Sequence, residues 1–252
     1  KQTQITTQTK LVTTKLSGIG TLQSALSSFQ TLLKPPTGTT SKLQFAGYAA
    51  TSSDATKVSV TSDNSAVPGT HTVLVKKLAT SSSVATAAFT GDASNSVIPT
   101  GGSLTVSQNT IGKTYTIADG ATLASVAKQI NADTKTTGIS ANIITDASGS
   151  RLVFGSTKTG SGSDITTSSD VAGLSIAAGD QIDTTSASSS GYIGDPPMDA
   201  DVTIDGFNFT SKSNTIDKNL GGVALTLKPG SISTTPVTIT VATNTDGLKA
   251  SL

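Results

Sequence analysis

A stripe of aliphatic side chains with nothing in the chain to cover it constrains this sequence most. Ile5, Val12, Ile19, Leu26 and Leu33 recur every seven residues, and Leu16, Leu22 and Phe29 widen the row. A seven-residue apolar repeat is the spacing of a coiled-coil seam. Gln, Thr, Ser and Lys fill the other faces, so the segment reads as one amphipathic helix of roughly thirty residues. It stops before Pro35-Pro36, because proline has no amide donor and disfavours helix at the preceding residue. Gly18 and Gly20 weaken it midway, by roughly 1 kcal/mol each relative to alanine. No later segment offers a second helix of that length. The stripe, all eight residues from Ile5 to Leu33, is therefore expected to pack against another chain or a further part of the protein. The chain starts at Lys1 without Met, which fits a fragment of something longer.

Composition narrows the rest. Ser and Thr make up about a third of the 252 residues, and Glu, Cys and Trp are absent. Leu, Ile, Val and Phe reach only about 23%, close to the range where disorder sets in, yet the net charge is +1, without the excess charge that accompanies disorder. Several small β-rich units suit this better than one large core. Lys is scattered and not interleaved with aromatics, which argues against nucleic acid. No apolar run is long enough to insert in a membrane as a helix. With one His and no Cys, a His-based metal site lacks ligands, and a Ser-His-Asp triad would have to rest on His71 alone, in an alternating strand. No catalytic residue, metal ligand or cofactor is expected, and the chain does not read as an enzyme. Ser107–Thr114 comes near a phosphate-binding loop, but its first glycine is replaced by Ser107 and a strand follows where a helix is needed. Asp195, Asp199, Asp201 and Asp205 lie close in sequence, without the spacing of a calcium loop. His71 reads as an ordinary strand residue, and Asn208-Phe209-Thr210 is a weak glycosylation pattern.

Beyond a joint at Thr37–Ser41, the period changes from helical to two. Residues 57–61 and 70–75 alternate, with Val67-Pro68-Gly69 between them, and are expected to form a hairpin. Residues 201–204 and 207–210 form a second hairpin across Asp205-Gly206. Residues 223–227 and 237–241 are two more strands, with Pro229-Gly230 between. The middle holds strand 115–117, a turn at Asp119-Gly120, and a short helix with Leu123, Val126, Ala127 and Ile130 on one face and Thr122 as N-cap. Strands 139–144 and 152–154 follow. Ala79–Ala93 and Thr184–Gly191 are Ser/Thr/Ala-rich and read as linkers or long loops. The expected fold class is α+β, mostly β: a helical stem, then two β-rich heads, one inserted in the other. The boundaries are 1–42 for stem and joint, 43–83 plus 196–245 for the outer head, 84–195 for the insert, and 246–252 returning to the stem. Separate units strung along the chain are the alternative.

Three stretches resemble one known family. Ile204-Asp205-Gly206, Ser213-Asn214-Thr215-Ile216 and Gly222-Val223-Ala224-Leu225-Thr226-Leu227-Lys228 follow the order found in the bacterial flagellar filament cap family, hook-associated protein 2. So do Ala66-Val67-Pro68-Gly69, Val73, Val75 and Leu78-Ala79, with His71 where tyrosine is commoner. Residues 116–156 resemble the inserted motif shared by cap proteins and some flagellins. The resemblance implies a structural protein at the flagellum tip, outside the cell, exported by the flagellar type III route. It implies a homo-oligomeric ring, commonly a pentamer, that promotes flagellin insertion and retains monomers. Implied partners are flagellin, the hook–filament junction proteins and an export chaperone acting through C-terminal helices that this chain lacks. A secreted adhesin or carbohydrate-binding module is the alternative reading.

Overall fold

The computed structural model describes residues 1–33, 47–92, 97–176 and 179–244. The first element is a single helix, α1 (Gln2–Leu33), ending two residues short of Pro35. The expected joint at 37–41, the start of alternation at 43–46 and the return at 246–252 lie outside the described residues. Strands β1 (Tyr48–Ser52), β2 (Val58–Ser62), β3 (Gly69–Lys77) and β4 (Ser81–Ala85) come next. They lead into β5 (Val97–Ile98), β6 (Gly102–Gln108), β7 (Ile111–Ile117) and β8 (Ala121–Thr122). Two short helices follow, α2 (Leu123–Ala132) and α3 (Thr134–Thr137), then β9 (Ile139–Asp146), β10 (Gly149–Thr159), β11 (Ile165–Ser169) and β12 (Gly191–Tyr192). The last strands are β13 (Ala200–Ile204), β14 (Phe207–Ser211), β15 (Thr215–Leu220), β16 (Val223–Leu227) and β17 (Val237–Thr243).

Each alternating strand has one face to cover, and the chain provides two separate cores. In the first, a five-stranded antiparallel sheet, β1-β17-β3-β13-β14, faces a three-stranded sheet, β15-β16-β2. Val73, Val75, Val202, Ile239 and Val241 from one sheet meet Val58, Ile216, Val223 and Leu225 from the other. In the second, the sheets β12-β4-β10-β9 and β11-β6-β7 close over Leu104, Leu123, Ile130, Leu152 and Phe154. Helix α2 buries Leu123, Val126, Ala127 and Ile130, and Thr122 Oγ1 caps it by accepting from Ser125 N at 3.2 Å. Residues 84–192 supply the second core and lie in sequence between the two stretches, 58–79 and 200–241, that supply the first.

Where the chain leaves the first core and returns, the two strands of traffic are tied together. Thr80 N donates to Met198 O at 2.9 Å, and Met198 N to Thr80 Oγ1 at 3.0 Å. Asn214, from the β14–β15 turn, accepts from Ala79 N at 2.8 Å and donates to Ala79 O at 2.9 Å. Its amide pairs with the backbone much as a neighbouring strand would. Asn214→Ala strands both groups of Ala79 and is expected to cost about 1–3 kcal/mol. Urea unfolding followed by circular dichroism measures it, and a loss below about 0.5 kcal/mol would show that solvent replaces the amide.

Two expectations from the sequence are corrected. Residues 57–61 and 70–75 do not pair: β2 lies against β16, and β3 between β13 and β17. Residues 63–68 turn a corner between sheets instead, anchored by Asp63 N donating to Gly222 O at 2.8 Å. Gly222 has φ +69°, and a Cβ there would sit 2.2 Å from Ala66 N, so only glycine admits this approach. The second correction concerns Ala79–Ala93, which is no linker throughout. Its β4 is an inner strand with Ser82, Val84 and Ala85 buried, and Thr86 buried beyond it. Ser82 Oγ accepts from Ile165 N at 3.1 Å and Thr86 Oγ1 from Leu152 N at 3.0 Å. Hydroxyls that find backbone partners can be buried at little cost. Residues 83 and 84, between which the boundary was expected, both lie in β4. The other Ser/Thr-rich stretch, Thr184–Gly191, is turns up to its last residue, which opens β12.

Candidate assembly surface

Helix α1 spans 32 residues, about 48 Å at 1.5 Å per residue. Of the eight seam residues, Ile5, Val12, Leu16, Ile19, Leu22 and Leu26 are between 60% and 69% exposed. The side chains of Phe29 and Leu33 lie outside those described. Leu11, 56% exposed, belongs with them, although the seven-residue row passes it over. The missed signal is its distance of eleven residues from Leu22, close to three full turns of helix. A strict heptad drifts by about 20° per repeat on a straight helix, so following this stripe requires a left-handed supercoil.

The polar side chains flanking the stripe are already satisfied within the helix. The hydroxyls of Thr6, Thr9, Thr13, Thr14 and Thr21 each donate to the carbonyl four residues back, at 2.8–3.0 Å. Such groups lose little when a neighbouring surface displaces water. Charge on the helix is of one sign, with Lys1, Lys10 and Lys15 and no carboxylate before Asp54.

In the first core, the Asp205-Gly206 turn takes the shape expected of a two-residue hairpin, with Asp205 at φ +48°. The carboxylate reaches across to β3, where it bonds His71 Nδ1 at 2.7 Å and accepts from Thr72 N at 2.7 Å. These bonds, His71 foremost, hold Asp205 below the usual carboxylate range. His71 is thus more than a plain strand residue: it ties the β13–β14 turn to its neighbour. A depressed folded value means the stabilisation is complete above the ordinary value of 3.8 and disappears as pH falls through the lower folded value. Asp205→Asn should lower the melting temperature at about pH 6, with the difference vanishing near pH 2. An equal difference at both values would assign the effect to the turn alone.

Asp54 and Asp183 are also pulled down, chiefly by hydrogen bonds from Thr56 and Thr185 respectively. Burial first, then Asp133 and Asp164 respectively, pushes Tyr115 and Tyr192 up to about 12. All five shifts lead away from neutrality. The described residues contain no group of three side chains able to hold a metal ion, and no helix long and apolar enough to cross a membrane. Ser107–Thr114 forms the β6–β7 hairpin, with Asn109 at φ +59° in its turn. Asn208 of the glycosylation pattern is held by Lys76 Nζ at 2.8 Å and Thr203 Oγ1 at 2.9 Å.

Known proteins share this arrangement. A family model described as "Flagellar hook-associated protein 2 N-terminus" matches residues 1–82, and its C-terminal counterpart matches 198–252. One described as "Flagellin hook IN motif" matches 103–158, within the inserted unit. The A-type flagellar hook-associated protein 2 of Pseudomonas aeruginosa is 36% identical over 263 residues, taking in 99% of this chain and 54% of the relative. The Escherichia coli K12 protein is 30% identical over 224 residues, 85% of this chain and 45% of the relative. The chain spans about half the length of these curated relatives. A crystal structure of FliD from P. aeruginosa PAO1 superposes with TM-score 0.67 at 31% identity, covering 77% of this chain and 88% of that one. Another, of the flagellar cap protein FliD from E. coli, gives TM-score 0.69 at 26% identity, covering 94% of this chain and 65% of that one.

Proposed function

Since the chain belongs to the flagellar hook-associated protein 2 family, we propose that it is part of a structural cap at the distal end of the bacterial flagellar filament. The observation that carries this reading is the exposed stripe of α1 set beside two heads built for contact. The stem seals against helices of the full-length protein or against neighbouring copies. Six described aliphatic side chains, at about 1.5–3 kcal/mol each when buried, supply ample driving force. The covering surface carries carboxylates, because Lys1, Lys10 and Lys15 find none in their own segment.

Copies of the protein close into a ring, commonly a pentamer among its relatives, as repeated contacts that return on themselves do. The ring holds flagellin at the tip while it folds and inserts, and prevents loss of monomers. Hook–filament junction proteins, and a chaperone acting on the C-terminal region during type III export, complete the partners. The heads are an outer domain, described over residues 47–79 and 198–244, and an inserted domain between its halves. Two separate buried cores support that division.

Complementation tests the reading. The full-length gene is expressed in a cap-deficient strain of its native host, with filaments scored by electron microscopy and free flagellin measured in the medium. Restored filaments are the expected result. Exported, folded protein with flagellin still lost as monomer would overturn it and favour an adhesin.

A further inference from the structure

Between the two cores, at the ends of β6 and β10 and beside the β14–β15 turn, lies a crevice of about 100 Å³. Gln108, Lys158, Ser163 and Lys212 line it. Gln108 and Ser163 are 3% and 5% exposed, and each holds a polar atom without a partner: Gln108 Oε1 and Ser163 Oγ. The Gln108 amide cannot turn round to cure this. Its Nε2 already donates to Ser163 O at 2.7 Å and to Ser156 Oγ. Two such atoms in one place are costly unless something bonds them.

Two cations stand beside them. Lys158 Cε and Gln108 Oε1 are 3.7 Å and 3.1 Å from one point, the position a Cβ on Gly138 would occupy. Lys212 Nζ stands 3.8 Å from the corresponding position on Gly162. Neither lysine forms an ion pair among the described residues. The nearby carboxylate of Asp199 is engaged, accepting from Ser161 N at 2.7 Å. Lys212 comes from the first core and the other lining residues from the inserted unit, so the crevice is built by both. The backbones meet there: Thr159 Oγ1 donates to Lys212 O at 2.6 Å, and a Cβ on Gly160, at φ +90°, would lie 2.6 Å from Lys212 Cα.

We propose that this crevice binds a small oxyanion that also carries a hydroxyl, hydrogenphosphate being the simplest. Its charged oxygens accept from Lys158, Lys212 and Ser163, while its hydroxyl donates to Gln108 Oε1. Sulfate has the same size and charge but no proton to give at neutral pH, so it leaves Gln108 unpaired. Preference for a ligand that completes a buried bond is the general basis of such discrimination. Bound there, the anion braces the two heads against each other. The inference does not rest on the cap reading.

The test uses the chain itself with inorganic phosphate and sulfate at matched ionic strength, followed by titration calorimetry and thermal unfolding. Phosphate is expected to bind saturably, at least about tenfold more tightly than sulfate, and to raise the melting temperature. Lys158→Ala and Lys212→Ala should each weaken phosphate binding, and the double variant should abolish it. Both lysines are exposed and unpaired, so melting in chloride should be unchanged. Equal responses to phosphate, sulfate and chloride would overturn the proposal. So would phosphate binding undiminished in the double variant, which would place the anion elsewhere.

Discussion

Ile19→Asp in the full-length protein is expected to abolish stem packing and, with it, ring formation and filament growth. Ile19 sits at the centre of the seam and is 61% exposed in this chain. Covered by a partner helix, it would contribute about 1.5–3 kcal/mol. A carboxylate in its place must lose its water without an assured cation, a penalty of several kcal/mol. The seam would fail at its middle. In the present chain the same change alters an exposed side chain and should shift stability by no more than about 0.5 kcal/mol. Ser17→Asp, on the opposite face, is the control and should leave assembly intact. Rings seen by electron microscopy and a melting temperature equal to wild type would remove α1 from the interface.

The second large effect concerns Arg151, the lone arginine of the sequence and 3% exposed. From β10 its guanidinium donates to Thr86 O at 3.0 Å, Ser189 O at 2.7 Å and Ser186 O at 2.6 Å. Asp146 stands 3.7 Å from its Nε. One side chain thereby fastens the end of β4 and the 183–190 turns to the inserted core. Arg151→Ala takes a donor from each of three carbonyls, leaving Ser186 O only Ser189 N at 3.2 Å, and should cost about 3–5 kcal/mol, a large share of a typical domain's stability. Arg151→Lys should recover only part of this, since a single ammonium cannot reproduce the planar fork. Hydrogen exchange across residues 183–190 separates local from global effects, and protection there should collapse first. An alanine variant with unaltered exchange and melting would show the clamp to be idle.

Several features were legible because neighbours along the chain decide them. The seven-residue spacing marks α1, Gln2–Leu33. Thr122 caps α2, whose buried face is the expected Leu123, Val126, Ala127 and Ile130. Asp205-Gly206 turns the β13–β14 hairpin. The flagellar cap family was recognisable from short runs around Gly69 and Gly222. Of the exposed aliphatic side chains on α1, the row through Ile5, Val12, Ile19 and Leu26 was plain from spacing, while Leu11 was hidden by its position next to Val12.

Other features were not legible. Residues 81–85 carry no apolar alternation strong enough to announce a buried strand, because hydroxyls that look solvated in sequence find backbone partners in the fold. Gln108, Arg151 and His71 looked like isolated polar residues until the chain brought Ser163, Ser186 and Asp205 beside them.

The sequence by itself determined helices α1 and α2, the strongly alternating strands such as β3 and β16, and the tight turn at Asp205-Gly206. Periodicity, caps and turn residues act over a few positions, so they survive without knowledge of the rest. Only the tertiary structure decided which strands pair and which polar groups are satisfied. β2 and β3 alternate alike, yet they lie in different sheets, and Asn214 closes on Ala79 across 135 residues. An alternating pattern states that a strand has a face to bury, and any complementary face will do. The choice among them is made by close approaches such as Gly222 on Ala66 and by the pairing of buried dipoles, which arise only once distant segments meet.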